Sequence, residues 1–441
     1  TLKMQKFYNR EKEIALLLNI EKKSMEAAQM TFVVGRRRIG KTSMLVQTFR
    51  EKRSLYFFVQ KKNEALLCEE FKTEIQEKLG VNIFGEFRTF KDVFGYLMDL
   101  SKTRNFTLII DEFQEFRNIN PSIYSEMQNI WDSDKDNSKI NLILCGSIYS
   151  LMKQIFENSK EPLFGRATAR IQLKSFDINT IKEILRDYRP EYSEEDLLAF
   201  YLFTGGVAKY VELLADANAF TLENIVNEVF SYNSLFMDEG KNVLIEEFGK
   251  DYGNYFSILS LIALSKTSRP EIESVLNMNI GGYLDKLENE YGIITKIRPI
   301  FSKPAGKSVK YRLNDNFLNF WFRFIYKYSG AVETESYDYL KTIFNRDYST
   351  YSGQILERYF REKIMREEDL SAIGSYWETG NRNEIDIVAI NEYEKRAIIA
   401  EVKRQKEKIS LDVLREKAKN LVDKELQGYK IEYRALSMGD M

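Results

Sequence analysis

Short, continuously apolar runs alternate with amphipathic stretches in the first third of the chain. Residues 31–34 read as a buried strand running into a glycine turn, and 41–50 as the helix after it. A second strand is expected within 53–60, an amphipathic helix over 62–80, a third strand over 105–110 ending at Asp111, and a fourth over 140–145 ending at Gly146-Ser147. Short apolar strands alternating with helices predict a parallel sheet covered on both faces. From about residue 175 the period becomes helical. Three helices are expected over 177–188, 193–203 and 206–216, punctuated by Pro190 and Gly205-Gly206. Residues 250–325 predict three helices and then two strands, 292–299 and 308–313, around a turn at 304–306; residues 335–441 return to mixed α/β.

A chain of 441 residues is long enough for two to four domains, each able to bury its own core. Its formal net charge of −1 does not advertise a nucleic-acid partner, so any such partner needs a local basic patch. Cys68 and Cys145 form no CxxC pair and read as reduced core thiols. There is no histidine, which excludes Ser-His-Asp and Cys-His catalysis and argues against zinc. Acid–base and metal chemistry must therefore use Asp, Glu, Lys, Tyr or water, and carboxylate ligands suit Mg²⁺ or Mn²⁺. The first ten residues are polar, without a signal-peptide core, and no run is long enough to span a bilayer. The expected location is cytoplasmic, with no membrane partner.

Residues 35–42 match GxxxxGK[ST] in full, between a predicted strand and a predicted helix. Gly35 and Gly40 let backbone N–H groups face phosphates, and the helix N-terminus adds partial positive charge. Lys41 would reach the β/γ-phosphates of ATP and Thr42 would hold Mg²⁺. Gly35, Arg38, Gly40, Lys41, Thr42 and Ser43 form the expected nucleotide-binding set of this loop. Leu108-Ile109-Ile110-Asp111-Glu112 delivers two carboxylates at a strand end. Asp111 is expected in the Mg²⁺ shell, with Glu112 orienting or deprotonating the attacking water. Ser147 is either a γ-phosphate sensor or part of an ordinary turn.

These motifs, with others in order, resemble the archaeal-type ATPases, a STAND/AAA+-like group. Phe7 to Glu13 is similar to that family's F-x-x-R-E-x-E opening, Pro162 to Arg166 to its P-L-[YF]-G-R, and Thr204 to Tyr210 to its T-G-G-x-P-x-Y, with Ala208 in place of the proline. The resemblance implies that Arg10 lies near the adenine pocket. It also implies that Arg166 is an arginine finger acting on a neighbouring subunit's nucleotide, and that Lys209 belongs to a lid sensor. A finger favours a homo-oligomer, a ring or dimer.

Residues 270–276 and 280–289, followed by two strands with a basic tip, fit a winged helix. Lys296, Arg298, Lys303, Lys307, Lys310 and Arg312 are available to neutralise DNA phosphates. Asp285, Glu288 and Glu290 on the second helix argue against tight groove reading, and a protein-packing role is the alternative.

Residues 384–403 predict two strands, about 385–390 and 397–403, flanking a charged turn. A symmetric hairpin would place Asp386 opposite Glu401, with Lys403 on the same face. Two carboxylates and an ammonium can bind a metal and stabilise a phosphorane-like oxyanion. The spacing resembles the PD-(D/E)xK nuclease superfamily, which implies a further helical acid at Glu357, metal ligation by Glu357, Asp386 and Glu401, and supporting roles for Glu384 and Gln405. A solvated hairpin and a nuclease-like fold that binds without cutting are the alternatives.

The expected fold is therefore α/β: a P-loop AAA+-like parallel-sheet core over 1–175, a helical lid over 176–248, a winged-helix module over 249–330 and a restriction-endonuclease-like α/β domain over 331–441. The expected function is a Mg²⁺-dependent ATPase coupled to DNA binding or processing. The alternatives are a switch ATPase that does not cut DNA and a transcription regulator using the winged helix.

Overall fold

The computed structural model describes residues 7–304, 306 and 308–441. The chain divides into two compact units between Ser175 and Phe176.

The first unit is built on β1 (Gln29–Val34), β2 (Ser54–Phe58), β3 (Phe106–Asp111), β4 (Ile140–Cys145) and β5 (Ala169–Gln172). They form one five-stranded parallel sheet in the order β2-β3-β4-β1-β5. Period-two alternation splits the strands between two cores. Phe32, Val34, Leu108, Ile110, Leu142 and Leu144 enter one, with Phe71, Phe90 and Phe113. Val33, Ile109, Ile143 and Cys145 enter the other, against Leu17, Met44, Leu45 and Phe49. Every residue of β3 and β4 is buried, which explains their unbroken apolar sequence. Val33 lies opposite Cys145 and Ile110 opposite Leu144. The chain segments leaving β1, β3 and β4 therefore emerge side by side, at the C-terminal ends of a parallel sheet.

The second unit is mostly helical. It carries a two-stranded ribbon, β6 (Ile294–Ile297) and β7 (Lys310–Leu313), and a four-stranded mixed sheet in the order β11-β10-β9-β8. The sheet strands are β8 (Ala372–Glu378), β9 (Arg382–Asn391), β10 (Arg396–Val402) and β11 (Lys430–Leu436). β9 is antiparallel to β8 and β10, and β11 is parallel to β10 after a crossover through the Leu411–Glu425 helix.

The segments expected as lid, winged helix and C-terminal domain share one continuous core. Phe203 and Phe230 of the first segment, Phe320 of the second and Phe344 of the third pack ring on ring. The helix expected to carry Glu357 is 31 residues long, Tyr337–Glu367. Its Tyr351 meets Phe324, and its Tyr359 meets Tyr201 edge-on. Glu195 also pairs with Arg404 at 2.5 Å. Among the described residues no helix is long and apolar enough to cross a membrane.

Candidate functional site

The phosphate loop starts where β1 ends. A side chain at Gly35 would come within 2.9 Å of the Leu173 carbonyl oxygen, so only glycine fits this close approach. Gly40 turns the chain with φ +91, and Arg38 adopts φ +70, a left-handed conformation that costs a non-glycine residue of order 1 kcal/mol or more. The Lys41–Phe49 helix follows directly. Lys41 Nζ donates to the carbonyls of Gly35 at 2.6 Å and Arg36 at 2.8 Å. Burial pulls its pKa below the usual lysine range, against the pull of Cys145, Asp111 and Glu112. Ser43 is exposed on the first turn of this helix.

Asp111, at the end of β3, is the centre of the site. Its Oδ2 accepts from Thr42 Oγ1 at 2.7 Å and from the Tyr56 hydroxyl at 2.6 Å. Its Oδ1 accepts from the Glu112 amide at 2.9 Å and from Cys145 Sγ at 2.8 Å. Burial first, and the carboxylate second, raise the pKa of both the phenol and the thiol, so both remain protonated donors. A hydroxyl and a carboxylate this close are hard oxygen donors that fit Mg²⁺, together with phosphate oxygens. Bound Mg²⁺ would offset the charge that develops on the phosphoryl group.

Glu112 is held at φ +54, in the left-handed region. Its Oε2 accepts from Ser147 Oγ at 2.7 Å and from Gln114 Nε2. Arg37 Nε donates to Ser147 Oγ at 3.3 Å. This relay joins the phosphate loop to the end of β4 through the acid expected to position water. Gly146 gives it room: a Cβ there would stand 2.0 Å from Gln114 Oε1 and 2.7 Å from Met152 Sδ.

Lys41, Thr42, Asp111, Glu112 and Ser147 thus converge as expected. Arg10 is buried and donates to the carbonyls of Ile39 at 3.2 Å and Lys174 at 2.9 Å. These bonds fix the loop from behind and give Arg10 a positioning part. Arg166 pairs with Asp132 at 3.0 Å and donates to the Phe164 carbonyl at 2.9 Å, so it is not gathered with the loop through these contacts. Lys209 lies in the second unit and pairs with Glu212 at 3.1 Å.

In the second unit, Ile387 lies opposite Ala400, one step from the predicted Asp386–Glu401 pairing and in the same register. Asp386 Oδ2 accepts the Val402 amide at 2.8 Å. Glu401 is held by Lys403 at 3.4 Å and by Lys417 at 3.0 Å. Burial, then the charge of Asp386, pushes the Glu357 carboxyl up to about 8. Burial likewise raises Asp386, opposed by the Val402 amide and Lys403. Lys403 is raised by Asp386 and Glu401, which outweigh the effect of its burial. The expected acids and lysine share one electrostatic neighbourhood. Yet among the described residues no group of three or more His, Cys, Asp or Glu is arranged to hold a metal ion. Glu401 is turned toward lysines, so a metal shared by Glu357, Asp386 and Glu401 would first have to displace that grip. Glu384 pairs with Lys310 at 2.9 Å, and Gln405 is exposed.

The two short helices and the ribbon of the expected winged helix are present, but the basic tip is not a free cationic face. Arg298 closes the turn, donating to Lys303 O at 3.3 Å, Gly306 O at 3.2 Å and Pro304 O. Lys310 lies over the Trp377 ring at 4.5 Å, and Arg312 is partly buried. Pro299 bridges to Ser375 and Trp377 Nε1 donates to Ser308 Oγ at 2.6 Å, which docks the ribbon on β8. Lys307 lies outside the described residues, as does Ala305 of the turn. Lys310 faces inward because Glu384 and Trp377 lie on the sheet beside it, whereas Lys303 is exposed.

Tyr56, Cys145, Gln114 and Lys417 were not singled out in the sequence as functional. Tyr56 carried a faint signal, as a polar-tipped ring in an otherwise apolar strand. Cys145 carried none, since a thiol in an apolar run looks like core.

Residues 7–214 match the family model described as an ATPase domain predominantly from Archaea. Residues 321–420 match a model described as archaeal and bacterial proteins of unknown function. An uncharacterised protein of Methanocaldococcus jannaschii is 27% identical over 408 residues, covering 90% of this chain and 87% of that one. A second uncharacterised protein of that organism is 39% identical over 56 residues, 13% of this chain and 54% of its own. Among solved structures, the Walker-type ATPase of Pyrococcus abyssi aligns with a TM-score of 0.53 at 18% identity, over 73% of this chain and 97% of that one. Residues 7–214 are thus similar to an ATPase domain predominantly from Archaea, and the chain shares its fold with a Walker-type ATPase. The C-terminal match brings no activity with it.

Proposed function

We propose that this protein is a Mg²⁺-dependent ATP hydrolase whose turnover is coupled to DNA binding or processing by the second unit. The observation that carries the hydrolase is the Asp111 carboxylate, held by Thr42 Oγ1 at 2.7 Å with Glu112 next in sequence and tied to Ser147. Lys41, now on the loop carbonyls, would meet the β/γ-phosphates, Thr42 and Asp111 would hold the metal, which would offset phosphoryl charge, and Glu112 would orient the attacking water. Arg38, Ser43 and Arg10 shape the loop. The finger role of Arg166 on a neighbouring copy and the sensor role of Lys209 belong to the same proposal.

The finer part concerns Glu357, Asp386, Glu401 and Lys403, proposed to act on phosphodiester bonds. Support comes from the register that brings Asp386 beside Glu401 and from the buried Glu357 near Asp386. A second reading, a switch that engages DNA or protein without cutting, is favoured by the Lys417 grip on Glu401. Plasmid and oligonucleotide cleavage with Mg²⁺ or Mn²⁺, with and without ATP, separates the two. The expected result is metal-dependent cutting by the wild type, lost in Asp386→Ala and Lys403→Ala, with ATP hydrolysis kept in both variants. A wild type that hydrolyses ATP and cuts nothing would leave the switch.

A further inference from the structure

Beside Glu357 three arginines approach one another from two elements. Arg358 and Arg361 stand one turn apart on the Tyr337–Glu367 helix, and Arg312 comes from β7. Arg358 Nη1 donates to Asn316 Oδ1 at 3.0 Å. Arg361 Nη2 donates to Ser375 Oγ at 2.6 Å and to the Asp386 carbonyl at 3.1 Å, while its buried Nε has no partner. Arg312 differs from both. Among the described residues its guanidinium has no hydrogen-bond or ion-pair partner, yet it is only partly exposed. Burial first, then repulsion by Arg358 and Arg361, pushes its pKa down to about 9. Two acids nearby are occupied elsewhere: Asp315 caps the Leu318 amide at 2.9 Å and Asp386 takes the Val402 amide at 2.8 Å.

A half-buried, unpaired guanidinium crowded by two others destabilises a fold unless something supplies the missing negative charge. Its planar fork matches two oxygens of a tetrahedral phosphate. We propose that Arg312, with Arg361 and Arg358 behind it, seats one phosphodiester group of a nucleic-acid strand next to Glu357 and Asp386. The inference rests on the DNA-handling function proposed above and names the group that binds there. It does not require that the strand be cut. It also gives the inward-facing ribbon cation a use: Arg312 faces the carboxylate site rather than an external groove.

The test uses the full chain in EDTA, so that nothing is cleaved. Fluorescence anisotropy of a labelled single-stranded oligonucleotide with hydroxyl ends reads binding, and thermal melting reads the fold. Arg312→Met is expected to weaken binding about tenfold. Its melting temperature without ligand should be equal to or above that of the wild type, because an unpaired charge is removed. Arg312→Lys, which keeps the charge and loses the fork, should fall between. Unchanged oligonucleotide binding in Arg312→Met overturns the proposal. So does a loss of binding in Arg312→Met accompanied by a matching fall in melting temperature, with Arg312→Lys unaffected in both. Inorganic phosphate that raises the melting temperature of the wild type but not of Arg312→Met, with no oligonucleotide bound, overturns the phosphodiester assignment in favour of a free-phosphate site. Plasmid cleavage is scored separately. Binding through Arg312 without cutting leaves this inference standing and removes the nuclease reading; cutting unaffected by Arg312→Met does the reverse.

Discussion

Asp111 and Asp386 both stand where a sheet meets functional side chains, and the two units handle them in opposite ways. Around Asp111 every donor is neutral: a hydroxyl, a phenol, a thiol and an amide. The one ammonium close by, Lys41, rests on backbone carbonyls. Phosphates and a cation can enter by small swings of Lys41 and Thr42. In the second unit the compensation is already ionic. Glu401 is gripped by Lys403 and Lys417, and Glu357 is pushed toward its neutral form by burial and Asp386. The first site is organised before its ligand arrives; the second must exchange partners before it can act on one.

The contrast can be broken or sharpened in three places. The largest effect is expected from Glu112→Gln, which keeps the Ser147 and Gln114 contacts but removes the charge. ATP turnover should fall about a hundredfold or more, with ATP affinity nearly unchanged, as read by phosphate release and nucleotide binding. An equal loss of both would make Glu112, with its φ of +54, a backbone element rather than a water-positioning acid. Next is Lys417→Ala. Freed from one lysine, Glu401 should bind Mn²⁺ more tightly, by a factor on the order of ten, measured by the electron-spin-resonance signal of free Mn²⁺. No gain would mean that the lysine grip is not what keeps a metal out. The smallest effect is expected from Tyr56→Phe. Removing one of four donors to Asp111 should cost about 1 kcal/mol of stability and lower kcat less than tenfold, with KM unmoved. A much larger fall in kcat would show that the phenol, and not Thr42, governs where Asp111 points.

What was legible in the sequence followed from local patterning. β1 to β4 stood out because strands buried on both faces are continuous apolar runs, and the phosphate loop because glycine and lysine spacing is fixed by backbone geometry. β5 was not foreseen. It is four residues long, and only Ile171 is buried, so neither length nor period marks it. The helices Glu11–Ser24, Phe90–Ser101 and Ile123–Asp134 were also unassigned, although Thr89 and Asp92 form a capping box at the start of one of them. The register of β9 and β10 was readable because a short turn dictates pairing. The fate of Lys310 and Arg312 was not, because it is decided by residues distant in sequence: Lys310 meets Glu384, and Arg312 is repelled by Arg358 and Arg361 of the Tyr337–Glu367 helix. Lys417 was equally invisible, since a lysine on an amphipathic helix usually faces water.

The strand order has a consequence for how the protein is made. β1 leaves the ribosome ahead of β2 to β5, yet it lies between β4 and β5, pairing at Phe32 with Leu144 on one side and Arg170 on the other. Neither neighbour exists until most of the first unit has been synthesised. The loop that follows β1 is seated against Leu173 and locked by Arg10 onto Lys174, which are later still. Pairing across such sequence separation is slow and closes late. The phosphate loop is therefore among the last parts of the first unit to take its shape during synthesis, although its glycines are made before most of that unit.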